Sequence, residues 1–294
     1  MGRMKHSKRT RGTGKKRTLQ VMCAAAAACV CLAGYLYLED TFLTTTTYTP
    51  ACDNLPRSFV GYTIAQISDY HNAHSALLNR RLRDAVQAAE PDVIVLTGDL
   101  IDRRRTDVQT ALRLAADLCK TAPVYFVCGN HDSLSDERET LLQSLTDLGV
   151  HVLENETRTL TRNAESICLI GIDDPAKTEE WAKNEEIVRR ELTPLVPDNE
   201  EFTLLLSHRP EMLEVYADLG IDVALTGHAH DGQIRLPVVG GILAPGQGLF
   251  PPYDNGVYTE GKTQMVVSRG VGNSAFPFRV QNRPELVVVK LTKS

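Results

Sequence analysis

Five short polar motifs follow one another along the chain: Asp69-Tyr70-His71, Gly98-Asp99, Gly129-Asn130-His131-Asp132, Ser207-His208 and Gly227-His228-Ala229-His230. Carboxylates, imidazoles and an amide in such numbers suit the binding of metal ions. Mixed nitrogen and oxygen ligands favour borderline ions such as Mn, Fe or Zn over Ca or Mg. Two divalent ions about 3.5–4 Å apart can clamp the attacking and leaving oxygens of an in-line displacement at phosphorus. Holding two cations that close needs a shared anion, and Asp99 is the natural candidate. Metal-bound water loses a proton near neutral pH and becomes a hydroxide nucleophile. A departing alkoxide still needs a proton, which a neighbouring histidine can give.

The elements that must position these residues are also legible. Each motif follows an apolar run, at residues 63–67, 93–96, 124–128, 203–206 and 223–225. Short runs of Val, Ile and Leu interrupted by helical patterns read as buried parallel strands. Loops past the carboxyl ends of such strands are where α/β folds bind ligands, so the five strands are expected to deliver their polar residues to one sheet edge. Helical patterns cover residues 75–90, 107–120, 135–148, 178–192 and 211–219, with Ser135 as a cap and Pro91 and Gly149 as stops. Beyond His230, short β runs at 233–236, 264–268 and 285–291 read as a second sheet. Taken singly, each motif is ordinary turn or cap chemistry. The ordered set of five is not.

The set resembles the calcineurin-like metallophosphoesterase superfamily, whose pattern is D-x-H, G-D, G-N-H-D/E, H and G-H-x-H. The resemblance runs from about Tyr62 to the C-terminus. It implies a four-layer α/β/β/α sandwich of two mixed sheets with metals at one end. Asp69, His71 and His230 would hold one ion, and Asn130, His208 and His228 the other, with Asp99 bridging. His131 would be the catalytic histidine and Asp132 would orient it. The stretches 227–237 (GHAHDGQIRLP), 267–273 (VSRGVGN) and Arg283-Pro284-Glu285 resemble bacterial membrane-associated phosphoesterases of this superfamily. That branch has Gly where this chain has Asp231, a departure that bears on substrate contacts more than on metal binding.

Residues 1–18 carry eight Lys or Arg and no acid, and residues 19–38 are almost wholly apolar. About 20 such residues span a bilayer as a helix, and the flanking basic residues place that end in the cytoplasm. An uncleaved anchor is expected, since no small-x-small cleavage site follows Leu38. Residues 39–56, rich in Thr, read as a stalk, and 57–294 as one catalytic domain. With the tail set aside, 24 basic residues face 37 acids, a balance of −13. So acidic a domain is a poor match to long nucleic acid. Cys52, Cys119, Cys128 and Cys168 read as free thiols. Residues 250–253 either border the substrate cleft or form a packed surface loop, and Arg103, Arg104, Arg105, Arg209 and Asn273 are weaker candidates for phosphate contacts.

The expected activity is two-metal hydrolysis of a phosphodiester or pyrophosphate in a lipid-linked or cell-envelope substrate, by an extracytoplasmic enzyme anchored in the cell membrane. A phosphomonoesterase or protein phosphatase is the alternative within the enzymes, because residues 98–103 (GDLIDR) echo the protein-phosphatase pattern. A metal-stabilised binding module without catalysis is the alternative outside them.

Overall fold

The computed structural model describes residues 11–175, 181–236, 239–274 and 276–294. In chain order its elements are α1 (Arg11–Thr41), β1 (Thr44–Tyr48), β2 (Thr63–Ile67), α2 (Ala76–Ala89), β3 (Val93–Thr97), α3 (Val108–Leu118), β4 (Val124–Val127), α4 (Asn130–Ser133), α5 (Arg138–Asp147), β5 (His151–Val152), β6 (Glu156–Arg162) and β7 (Glu165–Gly171). There follow α6 (Trp181–Leu192), β8 (Thr203–Leu206), α7 (Leu213–Asp218), β9 (Val223–Thr226), β10 (Arg235–Leu236), β11 (Gly240–Gly241), β12 (Leu243–Ala244), β13 (Gly248–Leu249), β14 (Gly256–Glu260), β15 (Thr263–Val267) and β16 (Glu285–Lys290).

The chain divides after Leu38 into an N-terminal unit and a body, Glu39–Ser294. In the N-terminal unit Leu19, Val21, Met22, Val30 and Leu32 are all exposed. A helix that is apolar all round needs a non-aqueous surrounding, and the stretch Lys16–Thr41 is long and apolar enough to cross a membrane.

In the body, alternation along buried strands sets the layers. Successive strand side chains point to opposite faces, so Ile64, Val93 and Val95 enter one core while Ala65, Ile67, Ile94 and Leu96 enter another. The first of these cores also takes Leu204, Leu206, Val223 and Leu225 and lies between the two sheets. The second packs one sheet against α2, α3 and α5. A third, with Leu205, Ala224, Val188 and Tyr216, packs the other sheet against α6 and α7. The result is the expected four-layer sandwich. One sheet has the order β1-β16-β2-β3-β4-β5 and the other β14-β15-β9-β8-β7-β6. Helix starts reflect local chemistry: the Ser75 side chain caps α2 and the Asp107 side chain caps α3, each worth about 1 kcal/mol.

The architecture corrects several expectations. The motif strands share no single sheet edge: β2, β3 and β4 lie in one sheet and β8 and β9 in the other. The run at 285–291 does not join a second sheet of late strands; β16 sits between β1 and β2, antiparallel to β2. Residues 39–56 are no stalk. Glu39 and Thr41 are buried, β1 pairs in parallel with β16, and Ala51 bridges Thr292. The Thr run at 44–47 is low in complexity, yet Thr is β-branched and suits an edge strand. Ser135 does not cap α5, which starts at Arg138; its hydroxyl accepts from the Glu137 amide instead. Of the helix expected at 178–192, residues 178–180 lie outside the described residues, and α6 covers the remainder.

The direction of β1 sets where the chain enters the body. Thr44 pairs with Glu285, where β16 begins, and β16 runs antiparallel to β2. The entry therefore lies at the edge of the sheet where β2, β3 and β4 end.

Candidate metal centre

Asp69 and His71 follow β2, Asp99 follows β3, Asn130 opens α4 after β4, His208 follows β8, and His228 and His230 follow β9. Five of these residues turn inward on a left-handed backbone: φ is 52° at Asp69, 44° at His71, 53° at Asp99, 66° at His228 and 50° at His230. Non-glycine residues held there cost on the order of 1–3 kcal/mol each and persist only when the surroundings over-determine them. Backbone hydrogen bonds do so here, from the Asp69 amide to the Gly98 carbonyl at 2.9 Å and from the His71 amide to the Asp99 carbonyl at 3.0 Å. Gly98 is obligatory in this framework. Its φ is +90°, and a Cβ would lie 2.6 Å from both the Gly129 amide nitrogen and His208 Nδ1.

Among the described residues three groups have ligating atoms within 4.8 Å of one another: Asp69–His71–His230, Asp99–His208–His228 and His71–Asp102–His131; the first two are the clusters that hold expected ligands alone. His71 Nε2 and His230 Nε2 are 3.1 Å apart, and Asp69 Oδ1 is 3.1 Å from the latter. In the other cluster His228 Nδ1 and His208 Nε2 are 3.2 Å apart. Asp99 Oδ2 lies between the clusters, 3.5 Å from His71 Nε2 and 3.3 Å from His208 Nε2. Asn130 Oδ1 is buried with no hydrogen-bond partner. Converging imidazole nitrogens, shared carboxylates and an orphaned amide oxygen fit a pair of divalent ions, because only a cation satisfies all those lone pairs at once.

Electrostatics treat the histidines of the two clusters differently. Burial opposes charge on Asp69 and Asp99, yet His230 and His208 beside them hold both carboxylates well below their usual range. Burial would lower His208, but Asp99 and Asp69 push it up to about 10. Burial pushes His71 down to about 3, and burial with the Arg209 charge pushes His228 down as well. Neutral imidazoles are the ligating form, which His71 and His228 already favour, whereas a cation held at His208 would have to displace its proton.

The catalytic candidate His131 is buried, its ring 4.7 Å from that of His71, edge to face. Here the structure corrects the sequence reading. Asp132 does not reach the His131 ring; it accepts hydrogen bonds from the amides of Leu100 (3.2 Å), Ile101 (3.0 Å) and Gly129 (3.0 Å). Burial and the Asp99 charge push its carboxyl up to about 7. The carboxylate beside His131 is Asp102, with Oδ1 3.3 Å from Nδ1. The Arg103 amide donates to Nδ1 at 3.3 Å when that nitrogen carries no proton; a protonated Nδ1 donates to Asp102 instead. Asp102 stands three residues after Asp99 within the GDLIDR stretch, so its signal was present in the sequence but unused.

The other candidates divide. Arg209 is not free for a substrate: Nε and Nη2 pair with Asp174 at 2.5 and 2.8 Å, and Nη1 lies 3.3 Å from His228 Nε2. Arg104 turns back onto Asp102, and Asn273 ties Asp40 to Arg279. Phe250 is exposed, while the Tyr253 ring packs edge to face on Tyr258. His74 stands outside the clusters beside Asp107, and His151 is exposed on β5. The cysteines among the described residues are all free, and Cys52, Cys128 and Cys168 are buried. Asp231, the departure from the branch pattern, is buried against Arg235, Asn255 and Arg269. Arg279 went unnoticed in the sequence, because a single buried arginine leaves no periodic trace. Its guanidinium donates to the carbonyls of Gly272 (2.5 Å) and Arg269 (3.1 Å), and the Gly272 amide donates to the Asp69 carbonyl at 2.7 Å.

Known proteins share this sequence pattern. The calcineurin-like phosphoesterase profile matches residues 62–232. The uncharacterised metallophosphoesterase YkuE of Bacillus subtilis is 31% identical over 277 residues, which cover 91% of this chain and 93% of that protein. Phosphodiesterase YaeI of Escherichia coli is 29% identical, over 69% of this chain and 71% of its own length. A zebrafish (Danio rerio) transmembrane protein with a metallophosphoesterase domain is 28% identical over 82% of this chain, which spans 56% of that protein.

Proposed function

This chain belongs to the calcineurin-like phosphoesterase family, a hydrolase of phosphoester bonds, and from that premise we propose a two-metal phosphodiesterase or pyrophosphatase that acts on lipid-linked or cell-envelope substrates from the outer face of the membrane. The observation that carries the reading is Asp99 Oδ2, within reach of an imidazole of each cluster. Asp69, His71 and His230 would hold one ion and Asn130, His208 and His228 the other, with Asp99 shared. Mn, Fe or Zn ions bound there would supply Lewis acidity towards the phosphoryl oxygens and activate the attacking water.

The chain supplies the rest. The charged form of His131 gives its Nε2 proton to the leaving oxygen and is left as the neutral ring, whose Nδ1–H donates to Asp102, and Asp102 holds the ring and stabilises its charged form beforehand. Asp132 fixes the loop after Asp99 by accepting three amides, which keeps the bridging carboxylate in place. Arg209, clamped by Asp174, sets the position of His228. The name of the E. coli relative favours a diester over a monoester. The Asp102–His131 contact inside GDLIDR favours a monoesterase or protein phosphatase as the second reading.

The full-length chain in detergent, loaded with Mn, Fe or Zn, should release p-nitrophenol from the bis-ester faster than from the monoester. The reverse preference would favour the phosphatase reading. No release from either ester with any metal would leave a binding module.

A further inference from the structure

Exposed apolar side chains are concentrated at one end of the body. Eleven large ones are exposed among its described residues, and five of these lie between Leu236 and Phe250. Leu249 and Phe250 are the most open, at 67% and 61%. The segment that carries them leaves β9, whose end bears His228 and His230, and returns at Gly256, which pairs with Val267 at the end of β15. Because β15 is parallel to β9, the whole excursion sits at the metal end of the sandwich.

Backbone bonds tie the patch to the point where the chain enters the body. Asp40 accepts from the Arg279 amide at 2.8 Å and from Asn273 Nδ2 at 3.2 Å. Phe276, three residues on from Asn273, exchanges hydrogen bonds with the Gln233 side chain at 3.1 and 3.2 Å, and the Arg235 amide donates to the Val280 carbonyl. From there β10 pairs with β11, the Ile242 amide reaches the Ile234 carbonyl, and Leu243 pairs with Leu249 across β12–β13. Beside the entry, the exposed ring of Phe42 carries the Arg81 guanidinium 4.1 Å from its centroid and that of Arg283 at 5.5 Å. An aromatic ring flanked by arginines suits the level of lipid phosphates.

We infer that the rim formed by Phe42, Leu236, Leu243, Leu249, Phe250 and Phe276 rests in the interface of the bilayer that the N-terminal helix enters, and so presents the metal end to phosphoesters at the membrane surface. The inference deepens the proposed function and rests on it for the nature of the substrate. Two observations select the bilayer as the occupant. The chain passes from its apolar helix into the body at this end, and the patch continues from that entry.

The test uses the full-length chain in phosphatidylcholine–phosphatidylglycerol vesicles containing brominated acyl chains, which quench nearby tryptophan. Trp181 is the only native tryptophan and gives the background. Phe250→Trp and Leu243→Trp should lose their added emission, whereas Val60→Trp, which precedes β2 at the opposite end of the strand, should lose none. Equal emission at the three positions would overturn the rim. Hydrolysis of a small soluble diester by the same vesicles reads the catalytic assignment separately. Hydrolysis without quenching sinks the rim alone, and quenching without hydrolysis sinks the phosphoesterase reading.

Discussion

Replacing Asp99 by Asn removes a charge that lies within 3.5 Å of imidazoles in both clusters, and repulsion between two cations then goes uncompensated. The variant should lose both metals, and elemental analysis that still finds two per chain would contradict the bridging role. His131→Ala separates binding from chemistry. Metal content should persist while the rate on an unactivated ester falls by roughly 10²–10⁴-fold, the usual worth of a positioned proton donor. The loss should be smaller for a p-nitrophenyl ester, whose leaving group needs no proton. Asp102→Asn should weaken the same step less, with metals retained, because it alters the partner of Nδ1 and not the proton donor itself. Asp132→Ala should act differently again. Three amides lose their acceptor, so the expected change is a lower melting temperature and weaker metal retention. A variant that melts like wild type and loses only the acid-dependent rate would restore the orienting role that its position beside His131 suggested.

The end of α1 at Glu39–Thr41 and strand β1 belong to the catalytic body, and this changes how the enzyme should be handled. Asp40 holds the Arg279 amide, the Arg279 guanidinium holds the loop 269–273, and that loop backs Asp69 through the Gly272 amide. Asp40→Ala leaves buried donors without a partner, at a cost of about 1–3 kcal/mol. In a body of this size that lowers the melting temperature by on the order of 5 °C. Asp40→Asn keeps an acceptor and should recover most of it; if both variants melt like wild type, the latch is incidental. Truncation at Cys52 should be more damaging, since it removes β1 as well. The same elements show what a sequence can and cannot convey. The five motif strands were legible because both of their faces are buried and each ends at a polar residue, so Thr63–Ile67 and Thr203–Leu206 emerge with the expected bounds. Helix α2 emerged from Ser75 and Pro91. Strand β1 was hidden because an edge strand with half-exposed Thr residues has the composition of a linker. The assignment of β16 to the first sheet was hidden because pairing between residues some 240 apart leaves no local mark. The candidate metal ligands were legible as a set, whereas Asp102 and Arg279, which touch other residues of the site, were not.

At the scale of the whole molecule, charge and hydropathy are segregated along the chain. Eight basic residues precede an apolar helix, and the remaining 24 face 37 acids beyond it. Basic residues near a spanning helix stay in the cytoplasm, while an acidic body carries no comparable signal to retain it there. This asymmetry supports the proposed outward-facing body, and the entry of the chain beside Thr44 supports a metal end turned to the membrane. Residues 44–48 are paired in a sheet and belong to the body. Protease added to wall-free cells that express the full-length chain should degrade the body and leave an N-terminal tag intact. A protected body together with a digested tag would reverse the orientation. It would place the same metal end against the inner leaflet, so that cytoplasmic head groups would replace envelope precursors as the available phosphoesters.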